Sequence, residues 1–400
     1  DNASAAYAHA ESAVAYAEET GMVFPISLCH LAFTHLLYEM GEDERLQEHL
    51  ERACSLAMAT DSTILLHMCL LAEAEYAFNS DLETGTALLK RALEIGRRQG
   101  YVNLPWWQPD SMARLCGKAL ESGIEVNYTK ELIRHRKLLP SNKFAQVEQW
   151  PWHLKVYSLG RFGITIEGAP VQFSGKVQQK PINMLKALIA LGGRNITEEQ
   201  VTELLWPDAE GDVAHQSFAT TLHRLRKMIG NDRVVLLSEG KISLNPLYCW
   251  VDAWAFERLA GQICNERPGR PLTPESQIAL AEKALGFYTG QFMAGESDLP
   301  WTISMRERLR SKLQRVISKA GQLLEECGDQ ARAIQFYQQG LDSDELIEEF
   351  YQRLMACYQQ MGSRGEAIST YNRCKTVLSR LGVTPSPAID TAYQRIITTP

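Results

Sequence analysis

Apolar positions recur every three or four residues over the first third of the chain. They form stretches of roughly 15–20 residues, a length suited to single helices. Gly41, the Asn-Ser-Asp run at Asn79–Asp81 and Gly100 close these stretches. "LQEHLERACSLA" from Leu46 is echoed 39 residues later by "GTALLKRALEIG" from Gly85, which matches Leu50 with Leu89, Arg52 with Arg91 and Ala53 with Ala92. The pattern predicts antiparallel helix pairs stacked into a superhelix with a concave face. "NLPWWQPD" (Asn103–Asp110) interrupts it, either as a boundary between helix pairs with buried aromatics or as a ligand-facing turn. Near the other end the echo is tighter. Gly328/Gly362, Ala333/Ala367, Ile334/Ile368 and Tyr337/Tyr371 are each 34 residues apart, the period of tetratricopeptide (TPR) helix pairs.

The middle of the chain changes period. After the Pro- and Trp-bearing stretch Leu138–Trp152, "LKVYSLGRFGITIEGAPVQF" sets Leu154, Val156, Phe162, Ile164 and Ile166 at strand spacing. A Gly168-Ala169-Pro170 turn and Val171/Phe173 follow. Three helical stretches come next: "KPINMLKALIALGG", "TEEQVTELLWP" and "DVAHQSFATTLHRLRKMIG". Thr197 is the expected cap of the second and Asp212 of the third. "VVLLSEGKISL" (Val234–Leu244) reads as a hairpin about Glu239-Gly240. Strands, three helices and a hairpin are the order of a winged helix-turn-helix with an N-terminal sheet.

The third helix carries the candidate chemistry. At 100° per residue, Leu222, Leu225 and Ile229 fall within about 40° of Phe218, a buried stripe. Gln216, Thr220, His223 and Lys227 fall opposite, between about 140° and 200°, with Arg224 near 240°. That face contains no acid, whereas an ordinary solvated helix usually mixes charge signs. Thr, Gln, His and Arg can address base edges, Lys and Arg can neutralise phosphates, and the helix N-terminus can receive a phosphate. Lys241, just past the hairpin turn, stands where a wing would touch the DNA backbone or minor groove.

Charge makes the same point by its distribution. The net charge is −7, yet residues 1–150 hold 13 Lys+Arg against 21 Asp+Glu, residues 151–260 hold 12 against 11, and residues 261–400 hold 16 against 16. A DNA-binding surface must then be local. The nine cysteines include no C-x-x-C pair, which argues against a disulfide framework or zinc site and for a reducing cytoplasm. No apolar run reaches 18 residues, so no membrane contact is expected. The N-terminus has no signal-peptide pattern and starts without Met inside a helix-like Ala run, so the chain is expected to be a fragment of something longer. His30, His35, His49 and His67 are spread along helical repeats, and no hydrolase, metalloprotease or dinucleotide motif occurs. "GAPVQFSGK" is not a P-loop: Pro170 stands where Gly is needed, and Val177 replaces Ser or Thr. The expectation is no enzyme, no cofactor and no metal.

Residues 154–256 resemble the OmpR-like winged-helix DNA-binding domain. The resemblance rests on "LGRFGITIEGAPV", "KPINMLKALIALGG", "ELLWPDAEGDVAHQSFATTLHRLRKMIG" and "CWVDAWAFE". Residues 270–396 resemble the bacterial transcriptional activator domain (BTAD) through "ALGFYTGQFMAGE", "MRERLRSKLQRV", "LDSDELIEEFYQRLMACYQQMGSRGEAISTY" and "LGVTPSP". The pairing is that of the Streptomyces antibiotic regulatory protein family. Residues 1–145 are similar to the helical-repeat sensor arm of maltose-regulator-like STAND ATPases, which would put an ATPase module upstream of this chain.

The fold expected is mainly α with a small β component, TPR-like helical repeats flanking an OmpR-like winged helix-turn-helix. Its parts are a sensor arm (1–145), a linker (146–153), the winged helix (154–256) and the activator domain (257–400). The resemblance implies a cytoplasmic, promoter-binding transcriptional activator that contacts double-stranded DNA through Gln216, Ser217, Thr220, His223, Arg224, Lys227 and Lys241. It further implies contact with RNA polymerase through the loop holding Trp206, Pro207, Asp208 and Glu210, and homo-oligomerisation on DNA. A small-molecule or protein effector is expected at the N-terminal repeats. The alternative is a helical-repeat interaction scaffold whose winged helix binds a protein partner; exposed apolar residues on the third helix would mark it.

Overall fold

The computed structural model describes residues 2–105, 108–141, 144, 147–172, 179–209, 211–264, 272–295 and 299–398. The chain divides into two units, Asp1–Pro151 and Trp152–Pro400. Helical repeats precede and follow a winged helix.

Among the described residues the first unit has seven α-helices: α1 (Asn2–Thr20), α2 (Val23–Met40), α3 (Asp43–Ala59), α4 (Thr63–Ala77), α5 (Leu82–Gln99), α6 (Pro109–Glu121) and α7 (Val126–Arg136). The closest pairings are α2 with α3 and α4 with α5. Turn chemistry sets the ends. Gly41 and Gly100 are left-handed, and the amide after each returns to the helix, Glu42 to Leu37 O and Tyr101 to Gly96 O. Asp81 caps α5 by accepting from the Glu83 amide. The 39-residue echo becomes structure on α3 and α5: Leu50, Leu89, Ala53 and Ala92 are buried, while Arg52 and Arg91 are exposed. Val147, Trp150 and Trp152, within the stretch expected to link domains, are buried. Trp106 and Trp107 lie outside the described residues.

The second unit opens with β1 (Leu154–Tyr157), β2 (Gly163–Ile166) and β3 (Ala169–Pro170), joined by β7 (Cys249–Val251) in a sheet of order β3-β2-β1-β7. β1 and β2 are antiparallel, with Val156 opposite Ile164; β7 runs parallel to β1. The β2–β3 turn is Glu167-Gly168, with φ of +50° and +87°, one place earlier than expected. A two-residue hairpin loop needs positive φ at both positions, and Pro170, lacking an N–H, suits the edge strand that follows. Phe162 precedes β2 and packs half-buried on the core; Phe173 lies outside the described residues.

Next come α8 (Gln179–Ala190), β4 (Ile196–Thr197), α9 (Glu198–Leu205), α10 (Gly211–Ile229), β5 (Val235–Ser238) and β6 (Lys241–Leu244). Thr197 and Gln200 form a reciprocal capping box at α9. Hydrogen bonds to the Glu199 backbone and from Thr197 hold the Glu199 carboxyl below the usual range. β4, too short to be read from periodicity, joins the hairpin in a sheet of order β4-β6-β5. Phe218, Leu222, Leu225 and Ile229 are buried in a core shared with Leu185, Leu188 and Val201.

The chain then turns helical: α11 (Asp252–Ile263), α12 (Pro274–Phe287), a 3-10 turn (Pro300–Thr302), α13 (Ile303–Glu326), α14 (Gln330–Ser343), α15 (Glu348–Gln360), α16 (Arg364–Ser379) and α17 (Pro387–Thr398). Left-handed Gly328 and Gly362 end α13 and α15 34 residues apart, and Ala333 and Ala367 are fully buried where helices touch. The echo diverges at the aromatics. Tyr337 is buried against Gly321, whereas Tyr371 is half-buried and stacks on Tyr393 with ring centroids 3.9 Å apart.

Candidate nucleic-acid interface

Burying the Phe218 stripe forces the opposite side of α10 outward. Gln216, Thr220, His223, Arg224 and Lys227 are exposed on one face, while Ser217 is half-buried at its margin. Thr221, on the core side, is buried. Asp212 does not cap α10. The helix already includes Gly211 at φ +50°, so Asp212 lies in the first turn. There its carboxylate complements the helix dipole instead of a single amide. His215, one turn on, is exposed and bonded through Nδ1 to Glu198 Oε1 at 2.6 Å, which ties α10 to the start of α9.

Two connections fix this helix, one to the wing and one to the segment before β1. Arg226 donates from Nε and Nη2 to the Val235 carbonyl at 3.1 and 2.9 Å, fastening α10 to the base of β5. His153, just before β1, reaches the Ile229 carbonyl at 2.9 Å. Val235 pairs with Leu244 and Ser238 with Lys241, so the exposed Lys241 stands three residues up the hairpin, about 10 Å from the Arg226 anchor. Glu239 (φ +51°) and Gly240 (φ +72°) form the tip.

The loop before α10 splits into an anchor and a display. Trp206 is half-buried against the core, with Lys180 Nζ 5.5 Å from its ring and donating to the Leu205 carbonyl. The Ala209 amide closes a turn on Trp206 O, leaving Pro207 and Asp208 exposed. Glu210 lies outside the described residues. Sequence reasoning missed the Arg226 anchor, the His215–Glu198 pair, the exposed Val213 on the same side of α10 as Thr220 and Arg224, and the exposed Leu236 and Leu237 of β5. The two leucines follow each other on β5, a signal masked because period-2 alternation assigns one of them inward.

Among the described residues, no group of three or more His, Cys, Asp and Glu is placed to hold a metal ion, and no helix is long and apolar enough to cross a membrane.

Comparison with known proteins places the chain's C-terminal part. Residues 251–397 match the family model of the bacterial transcriptional activator domain. This segment is similar to bacterial transcriptional activator domains. The chain is also similar to Regulatory protein AfsR of Streptomyces coelicolor, 26% identical over 235 residues, and of Streptomyces griseus, 26% over 231 residues. These matches cover 56% and 58% of this chain but only 22% and 23% of the relatives, so the chain spans about a fifth of their length. Among solved structures, Mycobacterium tuberculosis EmbR in complex with a low affinity phosphopeptide aligns over 61% of this chain and 65% of its own, at 22% identity and a TM-score of 0.47.

The activator domain begins where the winged-helix sheet ends, and Asp252 makes the joint. Its buried carboxylate accepts from the amides of Ser158, Leu159 and Ala253 at 2.7–2.8 Å and from Ser158 Oγ at 2.6 Å. Burial pushes this carboxyl up and the four donors pull it back. Beyond it, Gly160 and Gly290 approach so closely that a Cβ on Gly290 would meet the Gly160 Cα. Isolated bridges link Leu159 with Phe292 and Arg161 with Ala294. The C-terminal segment therefore grips the loop that leads out of β1.

Proposed function

We propose that this chain is part of a transcriptional regulator that reads promoter DNA with α10. The observation that carries the reading is the exposed stripe of Gln216, Thr220, His223, Arg224 and Lys227 opposite the buried stripe of Phe218, Leu222, Leu225 and Ile229. Such a helix in the major groove offers Thr, Gln, His and Arg to base edges and Arg and Lys to phosphates. Ser217 serves from the margin and Lys241 from the wing. The activator domain at 251–397 and the likeness to AfsR support a regulatory role. Residues 1–145 would carry the control input, receiving a small-molecule or protein effector, and two copies would bind neighbouring half-sites.

The exposed Val213 of α10 and Leu236 and Leu237 of β5 favour a protein contact on the same domain. In this reading they accompany Pro207 and Asp208 as a surface for RNA polymerase, with Trp206 holding the loop. The scaffold alternative would use these apolar residues alone.

The test is selection from a randomised duplex library with the 400-residue chain, followed by affinity against salt. A repeated motif should emerge, its affinity should fall steeply with salt, and a Thr220→Ala/His223→Ala/Arg224→Ala variant should lose the motif while staying folded. Selection of no motif by both the chain and residues 150–400 alone would reject DNA reading in favour of the scaffold.

A further inference from the structure

In the first unit the leading helices of the pairs, α2, α4 and α6, lie side by side, with α4 touching both neighbours. Such a layer is where a stacked array offers a binding surface. A pocket of about 40 Å³ sits there, lined by His35, Met68, Ala72, Glu75, Ser111 and Met112 among others. Each helix brings one ionisable side chain to it: His35 from α2, Glu75 from α4 and Arg114 from α6.

These polar groups are only half paired. Glu75 is 6% exposed, and Arg114 donates to its Oε1 from Nε at 3.2 Å and from Nη2. Its Oε2 has no hydrogen-bond donor among the described residues; His35 Nδ1 lies 3.7 Å away, beyond hydrogen-bond reach. Burial pushes the His35 imidazole down, so it is uncharged at neutral pH. Ser111, buried on the same side of the guanidinium, accepts from Arg114 Nη2 at 3.0 Å, and no described group accepts its hydroxyl hydrogen. A buried carboxylate oxygen without a donor and a buried hydroxyl without an acceptor, gathered by one arginine, call for a partner.

We infer that this pocket binds a small uncharged alcohol, whose hydroxyl donates to Glu75 Oε2 and accepts from Ser111 Oγ while its alkyl end lies against Met68, Ala72 and Met112. A hydroxyl is the group that donates and accepts through one atom. Charge excludes an ion: Glu75 and Arg114 already balance, so an ammonium or a carboxylate would leave a net charge between apolar walls. Size limits the rest. A water needs ~10–15 Å³, so the pocket takes a short alkyl group beside the hydroxyl and no large ring system. An occupant would touch three successive helix pairs at once. As a regulatory input it rests on the reading of residues 1–145 as the part that receives an effector; the binding itself does not.

The probe is n-butanol, titrated into the 400-residue chain and followed by the methyl resonances of Met68 and Met112. In parallel, n-butyl chloride keeps the alkyl chain and lacks the donor. Saturable shifts are expected with the alcohol. The chloride should bind at least about fivefold more weakly, the reverse of their order in a purely apolar cavity. Ser111→Ala should weaken the alcohol by about fivefold or more, and Ala72→Leu should abolish binding by filling the pocket. Should the added leucine disturb folding, Ser111→Ala, which removes one oxygen, decides. No saturable binding, which would leave water as the occupant, overturns the proposal. So does equal or tighter binding of the chloride, or alcohol binding unmoved by Ser111→Ala. Saturation that leaves affinity for a selected duplex unchanged would uphold the pocket and count against residues 1–145 as the control input.

Discussion

Gly96 in α5 and Gly321 in α13 meet the same packing demand in the two helical-repeat regions. Each omits a side chain so that a tyrosine from a neighbouring helix can press against the helix backbone: Tyr128 for Gly96, Tyr337 for Gly321. What surrounds them differs. Around Gly96 the first unit buries ionisable groups. His67 lies against the same glycine, and His30, His49 and Glu75 are also buried. His30 and His49 face each other through Nδ1 atoms 2.8 Å apart, so one must donate and the other accept; protonating both breaks the contact. Glu75 is held by Arg114 and lies 3.7 Å from His35. Around Gly321 the C-terminal repeats bury Phe336, Tyr337, Phe350 and Tyr351, and the sequence holds no histidine after His223. Burial drives the tyrosine hydroxyls of this core up, and the thiols of Cys357 and Cys374 up to about 11, so none titrates near neutrality. One repeat geometry therefore yields a core that responds to protons and another that ignores them.

The largest effect expected from breaking this contrast is Tyr337→Ala. Emptying a fully buried aromatic site should cost ~3–5 kcal/mol, read as an earlier urea transition of the second unit. Hydrogen exchange of residues 1–150 should stay at its wild-type rate. Faster exchange there would mean that the two cores are not independent.

Next come the glycines. Gly321→Ala and Gly96→Ala should each lose about 1–3 kcal/mol despite the better helix propensity of Ala. Unchanged stability in either would show that the tyrosine can move aside, and the likeness between the two sites would fail.

Acidification should give a smaller change confined to the first unit. Burial lowers the His35, His49 and His67 values, for His49 with the neighbouring His30 adding to it. These imidazoles take up protons more readily once unfolded. Their contribution is thus complete above the ordinary value of 6.5 and is lost as pH falls through it toward the depressed native values. Denaturant unfolding at pH 7.5 and 5.5, resolved by hydrogen exchange, should show protection lost in residues 1–150 and kept in residues 300–398. Equal loss in both would contradict the comparison.

Local rules made much of this legible from sequence. The Thr197–Gln200 box, the Glu239-Gly240 tip, the Phe218 stripe and the 34-residue echo each depend on residues close in the chain or on one helix face. What was not legible depends on distance. Asp252 joins backbone some 94 positions away, and Arg226 spends its guanidinium on a strand carbonyl when its neighbours suggest a phosphate. The two-residue β4 has no period to show. Asp212 has a capping residue's chemistry but the helix begins one residue before it. The face of α10 could be drawn from a helical wheel; the anchors that aim it could not.

The wing tip carries a further consequence. Glu239 holds a left-handed conformation that Asn or Gly would adopt with less strain, and it puts an exposed acidic residue at the tip of the hairpin, two positions before Lys241. On the proposed reading, such a group repels every stretch of duplex equally, whatever its bases. It works as a brake on idle adhesion, shortening each wrong encounter and leaving the search to the helix. Glu239→Asn should stabilise the hairpin by about 1 kcal/mol and tighten binding to random duplex more than to a selected site, blurring the ratio between them. A protein that held its target better in this way would find it more slowly.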